Sequence, residues 1–391
     1  MVSVCLYFQV HQPYRLKKYS FFDIGKSTAY FDHEKNKRIC EKVAQKCYLP
    51  TNRILLDLIT SMKGAFNVTF SLSGVALEQF QEYTPLVLQS FKHLAKTGHV
   101  EFLAETYYHT LAFLYSSEEF KRQVLQHQEA LQEHFNAHPT IFRNTELVYN
   151  NDLAPVVEQL GFNAIITEGA DHILEWRSPN FVYTPLNSKK MSLLLKNYRL
   201  SDDIAFRFSN KQWSEWPLTS QKFAQWLNAL HPNADVVNLY MDYETFGEHQ
   251  WKDTGIFTFL KALPHDVLKL PHLKFSLPSD VIKEYTPRGA LDIPQFISWA
   301  DVERDLTAWL GNKMQQDAMK HLYALEEAVL RSNNHEFIRA WRLLQTSDHF
   351  YYMCTKWFND GDVHKYFNPY DSPYEAFIAF MNVLADLKER I

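Results

Sequence analysis

The stretch that decides the fold is FNVTFSLSGVALEQFQEYTPLVLQSFKHLAKTGHVEFLAETYYH, residues 66–109. It begins with a β-rich apolar run at 66–72 and continues with helical spacing over 75–95, which Pro85 interrupts. A second apolar run follows at 100–104. A strand, a helix and a strand in this order predict a βαβ unit, in which the two strands lie parallel.

The same alternation extends over the first 170 residues. The predicted strands are 2–10, 66–72, 100–104, 140–144 and 164–167, and the predicted helices are 51–62, 75–95, 116–135 and 152–160. Alternation of apolar and polar residues is weak within these strands, as expected when helices cover both faces of a parallel sheet. The pattern therefore predicts an α/β protein.

Beyond residue 170 the pattern changes. Residues 175–210 hold short strand-like pieces (FVY, SLLLK and IAFRF), and a buried strand follows at 235–241. Residues 263–295 are predicted to be loop with one strand near Phe275. The rest is helical, with predicted helices at 302–331, 334–347 and 373–391. We therefore predict a barrel-like α/β domain over residues 1–295 and a helical domain over 296–391.

Composition excludes several classes of protein. The 391 residues carry 40 Lys and Arg against 45 Asp and Glu, a net charge of −5, which argues against a partner made of nucleic acid or anionic membrane. Only 11 residues are glycine, and neither GxGxxG nor GxxxxGK[ST] occurs, so no phosphate-binding loop is predicted. The cysteines at 5, 40, 47 and 354 form no CxxC pair and are expected to be reduced and buried.

The sequence also bears on the location of the protein. No apolar run reaches the ~18 residues that a membrane span needs. Residues 1–15, MVSVCLYFQVHQPYR, lack the basic start of a signal peptide, and a strand is predicted to begin at residue 2. A cytoplasmic protein with no membrane partner is expected.

Acidic side chains follow the predicted strands. In parallel α/β folds the carboxyl ends of the strands carry the functional residues, and here four of six predicted strands end in motifs with a carboxylate. These carboxylates are Glu105, Glu146, Glu168 and the group Asp242, Glu244 and Glu248. A single acid at a strand end is commonly a helix N-cap, whereas several at one mouth raise each other's pKa and indicate function.

Paired carboxylates are the equipment of glycosidases, in which one is ionised and the other donates a proton. The aromatic content of 15% fits either a large aromatic core or a cleft in which rings pack on sugars. Other chemistries lack their motifs, since neither GxSxG nor HExxH occurs. His134 and His138 have the i, i+4 spacing of a metal pair but lie at the far end of a predicted helix, and we interpret them as surface residues.

Five motifs in order resemble glycoside hydrolase family 57. They are HQPYR at 11–15, GHVEFLAETYYH at 98–109, FRNTEL at 142–147, MDYETFGEHQW at 241–251 and SWADVERDLTAWLGN at 298–312. The segment LLQTSDHFYYM at 343–353 also resembles the α-amylase-type members, which are compact like this chain. The resemblance implies an incomplete seven-stranded β/α (TIM-like) barrel followed by a helical bundle that caps the cleft.

The resemblance also implies a retaining mechanism and a catalytic pair. The family nucleophile matches Glu146, and the general acid/base matches Asp242. Asp242 and Glu244 are two residues apart on a strand and share one face, so residue type alone leaves either as the acid. The resemblance favours Asp242, with Glu244 as a hydrogen-bonding partner.

A wider set of residues is predicted to bind the sugar. It comprises His11, Gln12, Glu105, His109, Glu244, Trp299, Asp301 and Asp348. Structural alternatives remain for three of them, namely pairing with the backbone for His11, a helix N-cap for Glu105 and a helix-surface position for Asp348.

No metal and no cofactor are expected. Related barrels of the mannosidase family hold zinc partly through an H-x-D motif after strand one, where this chain has His11-Gln12-Pro13. Glutamine and proline cannot supply that carboxylate, so no catalytic zinc is predicted.

The function predicted is hydrolysis of α-1,4-glucans such as starch, glycogen and maltooligosaccharides, by an α-amylase-type enzyme. Two alternatives stay open. A 4-α-glucanotransferase would use the same catalytic pair, and a non-catalytic glucan-binding protein would use the same scaffold. The oligomeric state is left open by the sequence.

Overall fold

The N-terminal strand pairs with more strands than any other strand among the described residues. In the computed structural model, which describes residues 1–188, 190–356 and 368–391, β1 pairs with three other strands, all parallel to it. The strands are β1 (Val2–Val10), β2 (Val68–Leu72), β3 (Val100–Phe102), β4 (Ile141–Arg143), β5 (Ala164–Glu168), β6 (Thr184–Pro185), β7 (Ser192–Lys196), β8 (Val236–Asp242), β9 (Leu273–Phe275) and β10 (Ala290–Leu291).

Seven strands form the wall of a barrel. Their order is β3-β2-β1-β8-β7-β5-β4, and β9 pairs with the first residues of β1. The two ends of this path meet where Ala104, just after β3, bridges to Phe142 of β4. Contact between β7 and β8 is limited to one register pair, Lys196 with Asn238. The prediction of an α/β fold with an incomplete seven-stranded β/α barrel is confirmed.

Helices surround the barrel and continue after it. They are α1 (His33–Val43), α2 (Leu49–Ser61), α3 (Gly74–Tyr83), α4 (Pro85–Ala95), α5 (Ser117–Phe135), α6 (Leu153–Gln159), α7 (Asp171–Leu174), α8 (Tyr198–Ala205), α9 (Ser220–Ala229), α10 (Ile256–Leu268), α11 (Pro278–Glu284), α12 (Thr307–Leu310), α13 (Lys313–Ala324), α14 (Glu326–Arg331), α15 (His335–Leu344), α16 (Ser347–Tyr351) and α17 (Pro373–Arg390). Pro85 separates α3 from α4, because proline is tolerated in the first turn of a helix and not in its interior.

Three expectations about local structure were wrong or incomplete. The piece IAFRF, expected to be strand-like, lies at the end of α8, a helix that begins where the Asn197 side chain accepts from the Leu200 N–H. Residues 263–295 contain part of α10 and all of α11, the latter with Pro278 in its first turn, besides the predicted strand β9. Helix α1 was not predicted, because its sequence HEKNKRICEKV has a narrow buried face of Asn36, Cys40 and Val43.

Both faces of β1 are covered, so all nine of its residues are buried. Val4, Leu6 and Phe8 point outward into the layer of helices. Cys5 and Tyr7 point into the barrel, where the Tyr7 ring meets the Tyr240 ring edge-on at a centroid distance of 5.0 Å. This burial explains why the strand reads as a continuous apolar run.

The C-terminal helices pack on the loops at the carboxyl ends of the strands. Their core, which includes Trp309, Trp341 and Phe380, is continuous with barrel-loop residues such as Tyr14 and Tyr108. A helical C-terminal unit is therefore present over the described residues, while a domain boundary at residue 295 stays a prediction. Three residues of this unit, Asp348, Tyr351 and Tyr352, line the cavity in which the candidate site lies.

Gly247 tests how tightly the motif after β8 is packed. Its φ is +108°, and a Cβ placed there would lie 2.0 Å from the backbone oxygen of Lys46. We expect Gly247→Ala to lower the free energy of unfolding by about 2–4 kcal/mol, from left-handed strain plus the clash. Gly161→Ala is the control, because Gly161 has φ +90° and open space around its Cβ, and it should lose only about 1 kcal/mol. Denaturant unfolding measures both, and equal losses would contradict the packing argument.

Candidate active site

Glu146 lies in a strained turn directly after β4. The turn Thr145–Leu147 is a short 3-10 helix in which Glu146 has φ +58°, a left-handed conformation that costs about 1–3 kcal/mol for a residue with a side chain. Its backbone oxygen accepts from the Trp299 N–H at 3.1 Å. The strain turns the carboxylate toward a cavity at the carboxyl ends of the strands.

Three donors surround the Glu146 carboxylate. The Trp299 indole N–H donates to Oε2 at 2.7 Å, and the Ser347 hydroxyl donates to Oε1 at 3.0 Å. His109 Nε2 lies 3.4 Å from Oε1. Burial alone would raise the pKa of Glu146, but His109, Arg143 and Trp299 outweigh it and lower the pKa to about 2. This carboxylate is ionised at any working pH.

His109 carries the positive charge that makes this possible. Its Nδ1 lies 2.7 Å from Glu105 Oε2, so the ring is held between two carboxylates. Burial lowers the pKa of His109, yet Glu105 and Glu146 raise it to about 9. Since an imidazolium has two N–H donors, the contact with Glu105 is a charge-assisted hydrogen bond and the longer contact with Glu146 is an ion pair.

Glu105 lies beneath the cavity and does not line it. The residue is fully buried and accepts from the Ser71 hydroxyl at 2.6 Å and the Gln9 amide at 3.2 Å. Burial raises its pKa, but His109 and Arg143 lower it further, to well below its usual range. It is not a helix N-cap, since the adjacent helix α5 is capped by Ser116. The structure thus places Glu105 behind His109.

Asp242 differs from Glu146 in its surroundings. It is the last residue of β8 and lines the same cavity. Burial and the negative charge of Glu146 raise its pKa to about 6, although Arg143 and Lys196 act in the opposite direction. One carboxyl of the cavity is therefore ionised while the other holds its proton up to about pH 6.

Glu244 lies in the 3-10 turn Tyr243–Thr245 directly after β8, so, contrary to the prediction, it is not on the strand with Asp242, although both residues line the cavity. Burial and Asp242 raise its pKa to about 8, and the Tyr48 hydroxyl donates to its Oε1. Gln12 donates through its amide to the Tyr48 oxygen at 3.2 Å. Both Gln12 and Glu244 line the cavity.

His11 and Asp348 form a pair on the wall nearest the C-terminal helices. His11 Nε2 lies 3.0 Å from Asp348 Oδ2, and its Nδ1 lies 2.7 Å from the Ser73 hydroxyl. The ring stacks on that of His109 at a centroid distance of 3.9 Å. Burial and the charge of His109 lower the pKa of His11, and despite its burial the pKa of Asp348 is also lowered, by His11 and His109. Asp348 therefore faces the cavity and is not a helix-surface residue.

Nine of the ten predicted site residues line one cavity, and the tenth is Glu105. Trp299 lines the cavity while its indole N–H donates to Glu146. Asp301, two residues further on, also lines the cavity and has φ +56°. Four further charged residues of this region were not predicted, namely Arg143, Lys196, Asp202 and Arg304. Arg143 and Lys196 are the last residues of β4 and β7, so their place at a strand end is the one signal that the sequence offers for them.

Among the described residues, no group of three or more His, Cys, Asp and Glu side chains is arranged to hold a metal ion. No helix within those same ranges is both long and apolar enough to cross a membrane.

A β/α barrel that brings an ionised and a protonatable carboxyl to one cavity has the arrangement that is typical of a glycoside hydrolase. Residues 5–294 match the model of Glycosyl hydrolase family 57, and the chain belongs to that family. A protein of Methanocaldococcus jannaschii with the name "Putative alpha-amylase" is 44% identical over 397 residues, which cover 97% of this chain and 83% of that protein. The predicted family and enzyme class are confirmed.

Solved structures share the fold at low identity. A 4-alpha-glucanotransferase from Thermococcus litoralis superposes with a TM-score of 0.74 at 14% identity, over 100% of this chain. This chain spans 60% of the length of that enzyme. A branching enzyme from Thermococcus kodakaraensis gives a TM-score of 0.69 at 12% identity, over 100% of this chain and 94% of its own.

The His109 charge makes stability depend on pH. The folded pKa of about 9 exceeds the value of 6.5 for a free imidazole, so the stabilisation is complete below pH 6.5 and is lost as pH rises through about 9. His109→Gln should cost about 2 kcal/mol at pH 6, the value of a hydrogen bond to a charged group, and clearly less at pH 10. Guanidinium unfolding across this range measures the difference. His321→Gln, at an exposed histidine, is the control, and a cost for His109→Gln that does not change with pH would contradict the assignment.

Proposed function

We propose that this chain is a retaining hydrolase of α-1,4-glucans (starch, glycogen and maltooligosaccharides) with Glu146 as nucleophile and Asp242 as general acid/base. The observation that carries the proposal is that Glu146 and Asp242 line one cavity, where the Trp299 indole, the Ser347 hydroxyl and His109 surround Glu146 alone. These neighbours lower the pKa of Glu146 to about 2, whereas burial and Glu146 raise that of Asp242 to about 6. The names of the similar proteins, an alpha-amylase, a 4-alpha-glucanotransferase and a branching enzyme, support an α-glucan as the substrate.

The proposed reaction has two steps. Glu146 attacks the anomeric carbon and forms a β-glycosyl ester, while Asp242 gives its proton to the departing glycosidic oxygen. Asp242, now ionised, takes a proton from water, whose oxygen attacks the same carbon and releases Glu146. Two inversions return the α configuration.

The remaining polar groups of the cavity are proposed to bind sugar hydroxyls. His11 and Asp348 form one side, while Gln12, Glu244 and Asp301 lie at other points of the lining. His109 and Trp299 contact the Glu146 carboxylate directly, so we propose that their main role is to keep this nucleophile ionised and not to bind sugar. A cytoplasmic location is part of the proposal and is supported by four cysteines that are all free and buried.

Product analysis tests the activity. Wild-type protein and Glu146→Gln are incubated with maltoheptaose, and the products are separated by size. Wild type should give shorter chains, and the variant should lose at least about 10³-fold in rate, because the amide cannot attack carbon. Glu118→Gln, at an exposed acid on α5, is the matched control and should behave as wild type.

Each other outcome has a definite meaning. Chains longer than seven glucoses would show transfer to a sugar acceptor instead of hydrolysis. No product from wild type would contradict the activity, and full activity of Glu146→Gln would contradict the nucleophile. Binding of glycogen by both proteins without products would indicate the non-catalytic alternative.

The pH profile tests the acid. Activity needs Glu146 ionised and Asp242 protonated, so kcat/KM should fall below about pH 2 and above about pH 6. Above pH 6 the decrease should approach tenfold per unit. Asp242→Asn, assayed on an aryl α-maltoside whose leaving group needs no proton, should retain some activity and lose the alkaline decrease. A wild-type profile that is flat from pH 4 to 9 would refute the assignment.

A further inference from the structure

Arg143 is a buried cation beneath the cavity. It is the last residue of β4, is fully buried and does not line the cavity. None of its three guanidinium nitrogens has a hydrogen-bond partner within residues 1–188, 190–356 and 368–391. A buried arginine normally compensates for lost hydration with several hydrogen bonds, so this one must be stabilised by charge and ring contacts.

The charge and ring contacts of Arg143 are with Glu105 and Trp299, which neighbour the catalytic pair. Nη1 lies 3.6 Å from Glu105 Oε2, and Cζ lies 5.3 Å from the centroid of the Trp299 ring. The titratable and charged groups around Arg143 come from several elements: Tyr7 on β1, Glu105 and His109 after β3, Glu146 after β4, Lys196 on β7 and Asp242 on β8. Arg143 is thus a buried positive charge beside Glu105 and Trp299 that lowers the pKa of Glu105, Glu146 and Asp242.

Trp299 connects this charge to the nucleophile. Its ring is contacted by Arg143 at 5.3 Å and by Lys196 Nζ at 5.2 Å, and its N–H donates to Glu146 at 2.7 Å. Cations over an indole attract the ring and fix its orientation. A shift of the ring would move the N–H away from the carboxylate.

We propose, on the basis of the function above, that Arg143 is a positioning residue whose buried guanidinium orients Trp299 against Glu146 and sets the charges of the catalytic pair. It touches neither substrate nor reacting atoms, and it acts through Trp299 and through its field. Lys196, which does line the cavity, acts on Trp299 from β7, with β5 between it and the strand of Arg143, and it also lowers the pKa of Asp242.

The experiment compares pH profiles of kcat/KM on maltoheptaose, whose leaving group needs the proton of Asp242, for wild type, Arg143→Met, Arg143→Lys and Lys196→Met. Arg143 lowers the pKa of both Glu146 and Asp242, so Arg143→Met should move both limbs upward by about one pH unit and lower kcat about 10- to 100-fold. Lys196→Met should move the alkaline limb alone. Arg143→Lys keeps the charge and should leave both limbs in place, but it should lower kcat because an ammonium cannot cover the indole as a planar guanidinium does.

The outcomes separate this inference from the proposed function. A wild-type enzyme with no activity on the glycoside contradicts the proposed function, whereas an active wild type with unmoved limbs in Arg143→Met overturns the role of Arg143. A uniform loss at every pH in Arg143→Met also overturns it, since that is the result of a purely structural defect. Should Arg143→Met fail to fold, Arg143→Lys decides, because wild-type kcat in that variant overturns the proposal.

Discussion

The candidate site depends on one shared proton-bearing ring, the His109 imidazolium between Glu105 and Glu146. A buried carboxylate such as Glu146 would protonate if it were left among apolar neighbours. His109 prevents this with a charge and an N–H, and Glu105, fully buried behind it, keeps that charge on the ring. The other supports of Glu105, from Ser71 on β2 and Gln9 on β1, tie the network to the barrel wall.

The C-terminal helices complete this network as well as covering it. Ser347 at the start of α16 donates to Glu146, and its backbone N–H donates to the His109 carbonyl at 3.0 Å. Asp348, the next residue, pairs with His11, whose ring stacks on His109. Trp299 contacts Glu146 twice: its backbone N–H donates to the Glu146 backbone oxygen, and its indole N–H donates to the Glu146 carboxylate. Glu146 is therefore held by residues from both parts of the chain, so a barrel without these helices would lose contacts to its carboxylate.

Much of this could be predicted from the sequence, because the fold brings all the strand ends together. Wherever an apolar run was recognised as a parallel strand, the acid after it fell at the mouth, as with Glu146 and Asp242. Arg143 and Lys196 were missed because a basic residue closing an apolar run looks like a solvated end, and only the barrel interior makes it buried. Glu105 was wrongly assigned to the cavity lining. A position after a strand predicts that a side chain lies near the mouth of the barrel, but it does not predict that the His109 ring separates that side chain from the cavity. Helix α1 was not predicted because most of its residues are polar and its buried face is narrow. Helix α8 was not predicted because the only signal for its start is the N-cap residue Asn197.

The two carboxyls of the site differ because the barrel gives them different neighbours. Glu146 is near a histidine cation, an arginine cation and two neutral donors, so its ionised form is favoured. Asp242 shares its corner with Glu244, which is itself buried and holds its proton to a pKa of about 8. Each ionised acid raises the pKa of its acidic neighbour. The negative charge is therefore favoured on Glu146, which is near cations, and the proton is favoured on Asp242 and Glu244. The left-handed backbone at His109 and Glu146 belongs to the same arrangement: both residues accept strain that brings ring and carboxylate into contact, and the charge interactions they gain offset its cost.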